Sequence, residues 1–85
     1  MAQDERYLEM VRIIVRRGFE LAGEDRLEFA RCLGSSLRDA NRWINFAYNL
    51  HTNNKACPST LWLMAICEYL REEGGDDSLP SVFLN

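Results

Sequence analysis

Between Arg31 and Lys55 the chain concentrates side chains that donate hydrogen bonds to a nucleic acid: Arg31, Ser35, Ser36, Arg38, Asn41, Arg42, Asn45 and Lys55. Arg38, Asn41, Arg42 and Asn45 are three or four residues apart, the spacing that places side chains on one face of a helix. An Arg there can grip guanine O6 and N7 with two N–H bonds, and an Asn can pair with adenine N6 and N7. Each good pair contributes about 1 to 3 kcal/mol of discrimination. Ser35 and Ser36, with the backbone N–H groups of a helix start, suit a phosphate. Arg31 and Lys55 suit phosphates on the flanks, and Leu37 leaves the core side together with the polar set.

Other chemistries lack their parts. The three cysteines, Cys32, Cys57 and Cys67, form no CxxC pair, and His51 is the only histidine that could join them on a metal. They read as small buried hydrophobes of a reducing compartment. No serine has a histidine and a carboxylate at motif spacing, and no glycine-rich phosphate loop is present, so neither an enzyme nor a cofactor is expected. His51 falls in a polar loop, where exposure is the ordinary outcome.

The formal charge of −3 argues against a general nucleic-acid coat, but the whole-chain value hides an asymmetry. Residues 1 to 25 carry four Arg against six acids, a net −2. Residues 26 to 55 carry Arg26, Arg31, Arg38, Arg42 and Lys55 against Glu28 and Asp39, a net +3. The remainder carries Arg71 against five acids, a net −4. Counter-ion release from phosphate would act at the positive block, with the acidic ends facing away.

Eighty-five residues, 47% of them hydrophobic, make one globular domain that buries only a little over ~60% of its unfolded surface. The apolar periodicity predicts an all-α domain of four helices, at about 4–21, 25–32, 37–49 and 58–73. In the first, Tyr7, Val11, Ile14 and Gly18 form one stripe, with Leu8, Val15 and Phe19 beside it. In the second, Leu27, Ala30 and Leu33 are the expected inward positions, ended by Gly34 in a turn that wants positive φ. Ser36 and Asp39 form a capping-box-like start for the third, which turns Ala40, Trp43, Ile44 and Ala47 inward. Residues 51 to 57 form a loop, and Pro58 suits the first position of the fourth helix. That helix is apolar nearly all round, through Leu61, Trp62, Leu63, Met64, Ile66, Tyr69 and Leu70, more than one small core can take. Gly74 and Gly75 open a tail, 74–85, whose Leu79, Val82, Phe83 and Leu84 are expected to dock on the domain or a partner. The polar, acidic start lacks the pattern of a signal peptide, and the longest apolar run is far short of the ~20 residues that span a bilayer. A cytoplasmic protein is expected.

The helices on either side of Gly34 have the parts of a DNA-reading helix-turn-helix: a small residue at the crossing, a glycine in the turn, and a bulky residue one turn further on. Ala30 stands at the crossing, Gly34 in the turn and Ala40 at the next inward position, while Trp43 locks the second helix. The run from Phe29 to Trp43 resembles the motif of small bacterial and phage helix-turn-helix regulators of the Cro and repressor kind. The likeness extends over about residues 24 to 72, because Cys57-Pro58-Ser59-Thr60-Leu61-Trp62 is similar to the loop, proline and closing helix of such regulators. Ala40 replaces the usual β-branched residue, Arg26 stands where Gln is frequent, and the Asn-rich stretch from Asn41 to Asn54 is long.

The resemblance implies a sequence-specific regulator of transcription, a repressor that binds double-stranded DNA as a homodimer. Two-fold pairing doubles the few base contacts of one helix and sets half-sites about 34 Å apart. The 58–73 helix and the tail are the expected pairing surface. A different class of function is the same scaffold used as a protein-interaction module, such as a small phage inhibitor or adaptor of a host protein. The net acidity and the apolar last helix favour that alternative.

Overall fold

The computed structural model describes residues 5–49 and 57–75. They form four α-helices: α1 Glu5–Leu21, α2 Arg26–Leu33, α3 Leu37–Ala47 and α4 Thr60–Gly74, with no strand among the described residues. The all-α, four-helix expectation holds. The fourth helix starts two residues later than the proline suggests, because Ser59 rather than Cys57 caps it, its Oγ accepting from the Trp62 amide at 3.2 Å. The third ends at Ala47, where Tyr48 leaves helical geometry and Asn49 turns left-handed at φ 58°. The tail beyond Gly75, with Leu79, Val82, Phe83 and Leu84, lies outside the described residues, as do His51 and Lys55.

Local chemistry sets each junction. After α1 the Gly23 amide donates to Glu20 O at 2.9 Å and the Glu24 amide to Phe19 O at 2.9 Å. This paired closure satisfies the carbonyls that a helix end leaves open. Asp25 then caps α2, its carboxylate accepting from the Glu28 amide at 3.1 Å. The same closure recurs at Gly34, which sits at φ 63°: Gly34 N–H donates to Arg31 O at 3.2 Å and Ser35 N–H to Ala30 O at 2.9 Å. Ser36 Oγ accepts from the Asp39 amide at 3.1 Å and starts α3. Only Gly34, Ser35 and Ser36 separate α2 from α3.

The core lies where α1 packs on α3 and α4, and α2 packs on the same pair. Val11, Ile14, Val15, Gly18 and Phe19 of α1 are buried, as the two expected stripes require. Ala40, Trp43, Ile44 and Ala47 of α3 are buried too, joined by Phe46. In α2 the expected inward Leu27 is 67% exposed and Phe29 is wholly buried in its place. A helix of two turns offers stripes through Ala30 with either neighbour; the rings of α1 and α4 select Phe29.

Aromatic rings join all four helices. Tyr48 meets Phe19 at 6.0 Å, Phe19 meets Phe29 at 5.8 Å, and Phe29 meets Trp62 at 6.1 Å, all edge to face. Trp62 continues to Trp43 at 6.4 Å and Trp43 to Phe46 at 5.9 Å. Such pairs add about 0.5 to 1.5 kcal/mol each beyond the area they bury. Trp43 therefore locks α3 to α4 as well as to the shared core.

Candidate nucleic-acid interface

A helix advances about 100° per residue, so the buried side of α3 dictates which residues point away from it. Ala40, Trp43, Ile44 and Ala47 face inward, which leaves Arg38, Asn41, Arg42 and Asn45 on the opposite arc. Arg38 and Arg42 are exposed, one turn apart. Among the described residues Arg38 has no ion pair, and Arg42 rests its guanidinium 4.8 Å from the centre of the Trp43 indole. Ser36, Arg38, Asp39 and Arg42 line a shallow open depression at the start of the helix. Ser36 accepts from the third amide of α3, so the Leu37 and Arg38 N–H groups before it have no helical acceptor. Leu37 is 43% exposed beside them.

The two asparagines are half-buried, and both are held from α2. Arg26 Nη1 donates to Asn41 Oδ1 at 2.9 Å, and Arg26 Nη1 and Nη2 donate to Asn45 Oδ1 at 3.4 and 3.3 Å. The guanidinium lies 5.9 Å from the centre of the Phe19 ring, so α1 supports it. Arg26 is absent from the set that spacing along the sequence selects, because it lies 15 and 19 residues before its partners. The i, i+4 relation of Asn41 and Asn45 is the one local signal that a single group could hold both.

The remaining expected contacts are engaged elsewhere or lie beyond the described residues. Ser35 accepts from Trp62 Nε1 at 3.2 Å and donates to Ser36 O at 2.9 Å, which ties the turn to α4. Its backbone N–H is taken by Ala30 O. Arg31 Nε donates to Glu28 Oε1 at 2.8 Å, and its Nη2 pairs with Glu28 Oε2. This hydrogen-bonded pair pushes the Glu28 carboxyl down to about 2 and raises Arg31, so the charge of Arg31 is compensated locally. The pair sits on the side of α2 that meets Tyr69 of α4, whose phenol burial and the Cys32 thiol push up to about 12. The structure thus gathers Ser36, Leu37, Arg38 and Arg42 at one end of α3, sets Asn41 and Asn45 beside them, and gives Ser35 and Arg31 structural partners.

The expected inward residues Ala30, Ala40 and Trp43 are buried. Ala30 and Ala40 are 3% and 0% exposed, small enough for α2 and α3 to approach, and Trp43 is 8% exposed against the core. Among the described residues no group of three or more His, Cys, Asp or Glu is placed to hold a metal, and no helix is long and apolar enough to cross a membrane. Compared with protein-family models, with curated proteins and with solved structures, the chain finds no match.

Proposed function

We propose that the chain is a sequence-specific DNA-binding regulator of transcription, a cytoplasmic repressor of the bacterial or phage helix-turn-helix kind, with α3 as its reading helix. The observation that supports this reading best is the pair Arg38 and Arg42, exposed one turn apart beside the uncommitted N–H groups of the α3 start. An Arg in that position can take a guanine edge or a phosphate, and helix N–H groups favour an anion. The three-residue turn, with Gly34 left-handed and Ala30 and Ala40 buried, supports this reading.

One helix with two arginines makes few contacts, so the regulator acts as a homodimer on an inverted repeat. Leu61 and Met64, 79% and 40% exposed on α4, offer the apolar surface for pairing. The same residues favour the second reading, a module that docks on another protein through α4.

Selection of duplexes from a random pool at moderate salt tests the first reading. Recovery of a palindrome is expected, with affinity that falls steeply as salt rises. Replacing Arg38 and Arg42 together by Ala is expected to lower that affinity at least about thirtyfold, the loss of two side-chain contacts, while the helical circular dichroism is unchanged. Undiminished duplex binding by the double variant would remove α3 as the reader. A partner held with no salt dependence would favour docking through α4.

A further inference from the structure

The guanidinium of Arg26 carries only N–H donors, so the amide atoms of Asn41 and Asn45 that face it are oxygens. An amide holds its oxygen and its NH2 on opposite sides of the side chain, so an oxygen turned back to α2 turns the NH2 outward. The Asn45 oxygen accepts from both guanidinium nitrogens, which occupies its two lone pairs. With Phe19 beneath it, the half-buried Arg26 is held in this position.

We propose that Arg26 is a positioning residue that sets the polarity of the recognition face, so that Asn41 and Asn45 present NH2 donors and the strip they form with Arg38 and Arg42 selects guanine. The inference rests on the DNA-binding reading above. In the major groove guanine offers two acceptors, N7 and O6, whereas adenine sets an amino donor beside its N7. The ordinary pairing of Asn with adenine needs the amide oxygen free to accept from that amino group. Here both oxygens are turned to Arg26, the Asn45 oxygen with both lone pairs taken and the Asn41 oxygen with one, and an adenine amino group would meet the outward NH2 donor to donor. The sequence-based expectation that Asn41 and Asn45 read adenine is thereby replaced. Asp39, the one carboxylate among the described residues that line the depression, lies on the flank of α3 away from the asparagines and leaves the donor strip unbroken.

Parallel selections from a random duplex pool with the wild-type chain and with Arg26→Met test the inference. The variant keeps an apolar stem over Phe19 and releases both amide oxygens. Wild type is expected to enrich guanine at the positions under Asn41 and Asn45, and the variant to shift those positions toward adenine by about tenfold, the ratio given by one good base pair of contacts. The positions under Arg38 and Arg42 keep their bases in both. Adenine selected by the wild type, or identical bases selected by both proteins, overturns the inference and leaves DNA binding standing. Duplexes retained without any base preference overturn it as well, because the strip then meets phosphates. No duplex retained even at low salt sinks the DNA-binding reading, and the inference with it. Should Arg26→Met lose its helical signal, 7-deazaguanine at the two positions answers with the wild-type protein: about tenfold weaker binding supports the inference, and unchanged binding overturns it.

Discussion

The polar side chains of α2 and α3 divide by what holds them. Arg26 spans two helices, Arg31 is closed on Glu28 within one, and Arg38 has no ion pair among the described residues. The Glu28 pair has a consequence in acid. Its carboxyl is drawn down to about 2 from an ordinary 4.5, first by hydrogen bonds from Arg31 and then by the Cys32 thiol. A depressed carboxylate contributes stability above pH about 4.5, and that contribution is lost as pH falls toward about 2. With 41% of the Glu28 side chain in solvent the contribution is screened and small. Glu28→Gln is expected to flatten the acid limb of the stability profile between those values, and a carbon-detected titration of the Glu28 carboxyl is expected to centre near 2. A midpoint above 4 would show that the Arg31 pair does not persist in solution.

At the scale of elements, α3 borrows part of its end from α1. It has no basic residue in its own last turn, yet Arg16 Nη1 donates to Ala47 O at 2.7 Å across 31 residues of chain. A cation at a helix C-terminus meets both an open carbonyl and the negative end of the helix dipole. Arg16→Met is therefore expected to lower the unfolding free energy by about 1 to 2 kcal/mol, within the range for a charge-assisted hydrogen bond that is partly solvated. Amide exchange at the end of α3 is expected to quicken more than at its start. Equal exchange rates along α3, with no change in urea midpoint, would dismiss this cap. Arg12, one turn earlier, lies 4.7 Å over the Phe46 ring, so two arginines of α1 support the helix proposed to read DNA.

For the whole molecule, α1 packs tightly on α2 and α4 at a position that carries no side chain, Gly18. A Cβ placed on Gly18 would meet Ile66 Cδ1 at 2.8 Å and Phe29 Cε1 at 3.0 Å, and both residues are wholly buried. Alanine is favoured over glycine in a helix interior by about 1 kcal/mol, but overpacking a dense core costs about 1 to 3 kcal/mol. Since neither neighbour has solvent to move into, Gly18→Ala is expected to destabilise by up to about 2 kcal/mol net. Shortening Ile66 to Val in the same chain removes the nearest atom and is expected to recover part of the loss in a double-mutant cycle. A more stable Gly18→Ala would mean that α1 and α4 stand further apart.

What the sequence determined is what repeats locally. Four helices, the inward stripes of α1 and α3, the Gly34 turn and the Ser36 cap were all legible, because each depends on residues within one or two turns of one another. Three features were decided only in three dimensions. Phe29 rather than Leu27 is buried because rings from α1 and α4 flank it, and eight helical residues are too few for periodicity to choose. Ser35 is tied to Trp62, 27 residues away, which diverts it from the phosphate contact its position suggested. Arg26 reaches Asn41 and Asn45 only because α2 crosses α3, and a hydrogen bond between residues 15 or more apart leaves no trace in spacing. Local periodicity reports which face a residue takes, whereas the partner it finds there depends on how the helices cross.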